Sequence, residues 1–366
     1  MRSAERARDP EPDVALAPRS TIGIGGAARW FTRATSVDDV AAAHVWAGDR
    51  GVDLFVLGGG SNLIIADRGF DGLVAQIDIQ GVELRSDDGD TLVRVGAGQP
   101  WDPFVAAAVE RGLAGLECLS GIPGSVGGTP VQNVGAYGQE VGDTIERVGV
   151  FDRQTQALLT LTNADCRFAY RMSRFKREDP DRFVVCDVTF RLRPGRPTTT
   201  YPDVIRHLAR HDIATPTIAD ARSAVLAIRR GKGMVIDPAD PDTRSVGSFF
   251  VNPVVPGDVH ARLAASSPDG HAPGFTLPGA KVKIPAAWLI ERAGFARGYA
   301  AGRAALSTKH PLAIVNRGGA SAREVLDLAI RIKRQVLDRF GIALRPEPVF
   351  VGFGDDPDVR YLIRGG

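Results

Sequence analysis

Hydrophobic positions recur along this chain with two periods, and the change from one period to the other marks out its elements. SVDDVAAAHVWAGDRG, residues 36–51, sets Val40, Ala43, His44 and Ala47 on one helical face. Ser36 and Asp39 form a capping box before it and Gly51 stops it, so an amphipathic helix is predicted. DLFVLGGGSN follows as an apolar strand running into glycines. LVAQIDI then alternates Leu73, Ala75, Ile77 and Ile79 with other residues, the pattern of a half-buried strand. The hydrophilic turn RSDDGD is expected to close this first lobe, at about residue 85.

A second lobe begins at TLVRVGAGQPW, where Asp102, before Pro103, is expected to cap a short helix ending at Gly112. In FVVCDVTFRL, Val184, Cys186, Val188, Phe190 and Leu192 share one face, and Asp187, Thr189 and Arg191 the other. That alternation predicts a strand. RPGRPTTTYPD breaks the pattern, and a basic helix follows near residues 220–230. Near the end, Ser321 and Glu324 form another capping box, and Val325, Leu328, Ile332, Val336 and Phe340 make the buried stripe of a long helix. No repeat at a solenoid period is present.

Composition narrows the function classes. A chain of 366 residues has room for two or three domains, and a formal charge of +2 gives no bulk attraction to nucleic acid or anionic membrane. Cys118, Cys166 and Cys186 lie far apart in apolar stretches and are expected to be buried thiols, with no disulfide framework. The six histidines are given no metal-binding role. MRSAERARDPEPDVALAPR has no apolar run long enough for a signal peptide or a membrane span, so residues 1–19 are expected to be a disordered, charged leader and the protein a cytoplasmic monomer.

Three glycine clusters stand out: GIGG at 23–26, read as an ordinary tight turn, and GGGSN at 58–62 with the uncharged GIPGSVGGTPVQNVGAYG at 121–138, read together as a ligand cradle. None follows the Gly-x-Gly-x-x-Gly pattern of a dinucleotide fold, and no P-loop is present. Successive main-chain N–H groups in such turns can still cradle a pyrophosphate without a basic side chain. Ser61, Asn62, Ser125, Gln132 and Asn133 add neutral donors among Gly58, Gly59, Gly60, Gly124, Gly127, Gly128, Gly135 and Ala136.

GGGSN, GIPGSVGGTPVQNVGAYG, CRFAYRMSRFK, GSFFVNP and RPEPVF, in this order, resemble the UDP-N-acetylenolpyruvoylglucosamine reductase family of peptidoglycan synthesis, over about residues 18–352. The resemblance implies an α+β fold. Residues 20–85 and 86–220 would be the two lobes of an FAD-binding unit like that of the vanillyl-alcohol-oxidase flavoproteins, the second lobe including a loop that bears Tyr201. Residues 221–345 would form a substrate-binding domain, and 346–366 a segment returning to the active site. It also implies non-covalent FAD on the glycine loops and NADPH as co-substrate.

The reaction implied is reduction of an enol ether next to a carboxylate. Such chemistry needs a cation at the carboxylate, a partner for the developing enolate and a proton donor for the adjacent carbon. Arg171, flanked by Phe168, Tyr170 and Phe175, matches the family's cation, Ser248 its proton donor and Glu347, between Pro346 and Pro348, its stabilising acid. Met172 stands where many members carry a polar residue. Arg229 and Lys232 match the diphosphate side, and Tyr201 the loop that folds over the nucleotide sugar in the family's first type. Tyr170, Asn252 and Lys283 are further expected contacts, while Arg222 and Arg230 read equally well as solvated charges. Two rivals stand beside this reading: an FAD oxidase of the same fold, for which neither GGGSN nor the long loop offers an attachment histidine or cysteine, and a nucleotide-sugar binding flavoprotein without catalysis.

Overall fold

The computed structural model describes residues 9–267 and 270–364. Its described chain divides into two compact units, one holding residues 9–14, 28–60 and 71–235, the other 15–27, 61–70 and 236 onward.

The first unit is built on two sheets. In the smaller, the strand order is Glu11–Ala15, Ala27–Ala34, Phe70–Ile77, Asp53–Leu57, the last two running parallel. The helix Val37–Arg50 packs Ala43 and Ala47 against Leu73 and Ala75. Its ends are as the sequence predicts: Ser36 Oγ accepts from Asp39 N, the Asp39 carboxylate accepts from Ser36 N, and Gly51 turns left-handed at φ 62°. Leu73, Val74 and Ala75 are all buried, so this strand is covered on both faces rather than half-buried.

The expected leader is corrected here. Glu11–Ala15 is an edge strand, while residues 1–8 lie outside the described residues. Four of its five residues are exposed, so no hydrophobic period announced it; main-chain pairing with Ala27–Ala34 holds it.

The larger sheet runs Ala157–Thr162, Ile145–Asp152, Phe183–Pro194, Asp90–Gly96, Val82–Asp87, all antiparallel, with Leu113–Ala114 beside the end of Phe183–Pro194. Phe183–Pro194 buries Val184, Cys186, Val188, Phe190 and Leu192 as the alternation predicts. The helix Trp101–Glu110 lays Trp101, Phe104 and Val105 into the same core.

Two sequence expectations change here. RSDDGD is the tip of a hairpin within this sheet, where Asp88 and Gly89 both take positive φ, so Val82–Asp87 belongs with the second lobe. Asp102 lies inside its helix, whose N-cap is Pro100, and its carboxylate instead accepts from Gly121 N and from both Nη atoms of Arg222. Arg222 is therefore an ion-pair partner rather than a solvated charge.

The helix Ile218–Gly231 starts on a Thr217–Asp220 capping box and packs on Pro202–Arg210 within this unit. The break falls after Val235 instead of residue 220, because that packing outweighs the change in charge texture.

The second unit is organised around Ala322–Phe340, with Ser321 and Glu324 capping it and Val325, Leu328, Ile332 and Val336 wholly buried. The Asp67 carboxylate accepts from Ala322 N and Arg323 N at its start, where negative charge complements the helix dipole. Val254–Pro256, Lys281–Lys283 and Phe275–Leu277 form one small sheet, and Ala300–Ala301, Ala304–Leu306 and Ile314–Asn316 another. Val349–Val351 pairs in parallel with Leu63–Ile65. Buried Lys333 donates to the carbonyls of Tyr361 and Leu362 in the last helix, Pro357–Ile363. All three cysteines are buried free thiols, as expected, and among the described residues no helix is long and apolar enough to cross a membrane.

Candidate functional site

In the first unit the two long glycine loops touch. A Cβ on Gly59 would lie 2.6 Å from Gly124 Cα and 2.8 Å from Ser125 N, and one on Gly58 would lie 3.0 Å from Ser125 Oγ. Only bare backbone allows that approach. Gly60 and Gly124 both take positive φ, Gly127 fits against Ala97, and Gly128 faces open space. Ser125 Oγ is buried with no hydrogen-bond partner, which is costly unless something beyond the protein supplies one. A close-packed glycine cradle with an orphaned hydroxyl fits a phosphate-bearing cofactor.

Ser125→Ala tests that fit. Without cofactor the variant is expected to match or exceed the wild-type stability by about 1 kcal/mol, while binding FAD about tenfold more weakly. Urea titration of the apoprotein and FAD titration by fluorescence read the two effects.

Farther along the loop, Asn133, at φ 47°, spends its side chain internally: Nδ2 donates to Glu140 Oε2 and Ala169 O, and Oδ1 accepts from Gly142 N. Its amide thus shapes the loop and leaves the main chain to meet a ligand. Gly135–Ala136 pairs with Gln139–Glu140 as a short hairpin, and Lys176 Nζ stands 3.5 Å from Gln132 Oε1.

The same unit gathers cations and tyrosines. Arg171 occupies a left-handed turn (φ 54°) closed by the Ala169–Met172 bridge, half-buried, with Tyr170 beside it. Arg229 donates to the carbonyls of Gly121 and Met234, while its Nε is buried without a partner. Burial pushes the Arg229 guanidinium below its ordinary pKa and the Arg171 charge adds to this, against the pull of Tyr137 and Asp102. Lys232 pairs with Asp203 at 2.7 Å and lies over the Tyr137 ring. Tyr137 and Tyr201 meet edge to face with centroids 5.3 Å apart. Burial raises both phenols, and for Tyr201 the Lys232 charge opposes while the Asp203 charge assists. Tyr170, Arg171, Tyr201, Arg229 and Lys232 are therefore brought together, and Arg230 is exposed.

Tyr137 was missing from the sequence-derived set. Its signal was available, because it is the lone aromatic in the uncharged loop.

The remaining expected residues lie in the second unit. Asn62 ties to Glu347 through Nδ2 and the Glu347 carbonyl, and its own carbonyl accepts from Val349 N. Ser61 contributes its carbonyl to Thr21 Oγ1. Glu347 N donates to Phe249 O, and Phe250 bridges Pro346, so Ser248 sits on the strand-like segment alongside Glu347. Ser248 follows Gly247, which turns at φ 78° and donates its N–H to Ser245 Oγ. Asn252 Oδ1 accepts from Ala286 N at the start of Ala286–Arg292. Lys283 lies over the Phe275 ring.

His207 in Pro202–Arg210 and His211, which caps that helix, have the four-residue spacing of a chelating pair, and their rings stack at 4.3 Å. Among the described residues no group of three or more potential ligands completes a metal site around them.

Residues 28–160 match the FAD binding domain family, and residues 238–351 match the C-terminal domain of UDP-N-acetylenolpyruvoylglucosamine reductase. The chain is 47% identical over 349 residues to the UDP-N-acetylenolpyruvoylglucosamine reductase of Thermobifida fusca, covering 93% of this chain and 97% of that protein. The chain belongs to the UDP-N-acetylenolpyruvoylglucosamine reductase family. A Mycobacterium tuberculosis member is 48% identical over 353 residues, covering 93% of this chain and 94% of that one. The crystal structure of the Thermus caldophilus UDP-N-acetylenolpyruvylglucosamine reductase is similar at a TM-score of 0.64 and 25% identity, over 93% of this chain and 98% of that one. Membership gives the chain the α+β fold of a flavoprotein family, and the FAD-binding match includes both touching glycine loops.

Proposed function

We propose that this protein reduces UDP-N-acetylglucosamine enolpyruvate to UDP-N-acetylmuramate in peptidoglycan precursor synthesis, with FAD as its cofactor and NADPH as the reductant. The observation that carries the reading is 47% identity to a reductase of that name across 97% of its length. The orphaned Ser125 hydroxyl beside touching glycine loops supports FAD independently.

FAD, when bound to residues of the two glycine loops, supplies the hydride that goes to the terminal methylene of the enolpyruvyl group. The chain's own residues manage the charge. Arg171 binds the substrate carboxylate, into which the negative charge of the adjacent carbon spreads, and its turn presents a guanidinium able to grip both oxygens. Ser248 gives its hydroxyl proton to that carbon. A serine is a weak acid, so it serves only a strongly basic carbanion. Glu347, held by main-chain bonds to Phe249 and Asn62, hydrogen-bonds in the site and steadies the anion. Arg229 and Lys232 take the diphosphate, and Tyr201 covers the nucleotide sugar with Tyr170, Asn252 and Lys283 as further contacts.

The test is a spectrum. The purified protein is expected to be yellow, to bleach under nitrogen when NADPH is added, and to regain its colour on addition of UDP-N-acetylglucosamine enolpyruvate. Protein that stays colourless after incubation with excess FAD would sink the proposal. Bleaching without recovery would leave a flavoprotein with a different electron acceptor.

A further inference from the structure

Glu117 and Asp152 are carboxylates of the first unit that the chemistry above does not use and that have no exposed surface; Asp152 pairs with Arg182, whereas Glu117 is met by uncharged donors. Burying a carboxylate is expensive unless it is fully hydrogen-bonded. Here three uncharged donors meet it: Gly115 N at 2.7 Å on Oε2, and Thr198 N at 2.7 Å with Gln139 Nε2 at 2.9 Å on Oε1. These donors come from three separate stretches of chain.

Gln139 completes the arrangement. Its second amide hydrogen goes to Thr198 Oγ1 at 3.0 Å, and its Oε1 accepts from Cys118 N at 2.8 Å. Cys118 Sγ donates to Thr198 O at 3.2 Å, and a Cβ on Gly138 would lie 3.2 Å from Thr200 Oγ1. The segment leading to Tyr201 is therefore fastened through both main-chain groups of Thr198 to Glu117 and Cys118, and through the Thr198 hydroxyl to Gln139, two residues beyond Tyr137. Glu117, though, touches neither tyrosine.

We propose that Glu117 and Gln139 are positioning residues, a clamp that fixes the root of the Tyr201 segment on the Gly135–Glu140 hairpin and so sets the Tyr137–Tyr201 pair to receive a nucleotide sugar. The clamp explains why a carboxylate is kept among these uncharged donors. Glu117 accepts from main-chain N–H groups on separate segments, and a carboxyl group buried without those donors would be costly. The inference rests on the reading above that Tyr201 covers the nucleotide sugar.

Cys118 reports the clamp directly. Burial, with the Glu117 charge, pushes its thiol up to about 12, and Thr198 covers its sulfur. Alkylation by iodoacetamide, followed peptide by peptide, should be slow at Cys118 in the wild-type protein. In Glu117→Gln one donor must face a donor, and Cys118 should react about tenfold faster while Cys166 and Cys186, buried elsewhere in the unit, keep their rates. Thr198→Val, which removes only the hydroxyl, should give a smaller rise confined to the same thiol. With the FAD-loaded protein, Glu117→Gln should raise KM for UDP-N-acetylglucosamine enolpyruvate about tenfold and leave the rate of flavin bleaching by NADPH unchanged.

Wild-type reactivity at Cys118 in both variants overturns the clamp. So does an equal rise at all three cysteines in both variants, which would mean general loosening. If the thiol responds as stated but the wild-type protein binds no UDP-N-acetylglucosamine enolpyruvate, the clamp stands and the substrate reading falls.

Discussion

Ser248→Ala is expected to leave reduction of the flavin by NADPH at its wild-type rate and to slow reoxidation by UDP-N-acetylglucosamine enolpyruvate about a hundred- to ten-thousandfold, the usual worth of a positioned proton donor. The split follows from the role assigned: the first half-reaction moves no proton to carbon, and the second cannot finish without one. The substitution is local. Ser248 is half-buried between the left-handed Gly247 and the buried Phe249, whose N–H and C=O are held by Leu312 and Glu347. Removing one hydroxyl leaves those main-chain bonds intact. Stopped-flow absorbance of each half-reaction separates the outcomes, and equal slowing of both would strip Ser248 of its role.

Trp101→Ala should be the most damaging single change to the first unit, costing about 3–5 kcal/mol. Trp101 is 1% exposed and packs on Phe104 and Phe190 in the core of the larger sheet. Its indole N–H donates to Leu119 O at 3.0 Å and its main-chain N–H to Gly124 O, so its ring anchors the approach to the long glycine loop. The variant loses the ring and orphans the Leu119 carbonyl. Urea unfolding should show the lost stability, and the protein should retain less flavin through gel filtration than wild type. Unchanged flavin content at the expected loss of stability would separate the core from the loop.

Much of this molecule could be read from local signals. The capping boxes at Ser36 and Ser321, the alternation through Phe183–Pro194 and the stripe along Ala322–Phe340 are decided within a few residues of each other, and they stand where the sequence places them. What escaped depends on distant partners. The polar strand Glu11–Ala15 exists because a neighbour offers its edge, and Asp102, which looked like a cap, is claimed by Arg222. The candidate site divides in the same way. Glycines and cations announce themselves by type and spacing, whereas Glu117 and Asn252 take their meaning from main-chain groups that sequence alone does not bring near. Arg171 in one unit and Ser248 with Glu347 in the other were legible only as motifs.

Leu63–Ile65 pairs with Val349–Val351, a strand far along the sequence from it. During synthesis the earlier strand must therefore wait, its edge unsatisfied, until Val349–Val351 has emerged, since among the described residues that strand is its parallel partner. The second unit closes only once residues 349–351 have been made, and a nascent chain stalled before residue 349 would hold an open edge vulnerable to mispairing.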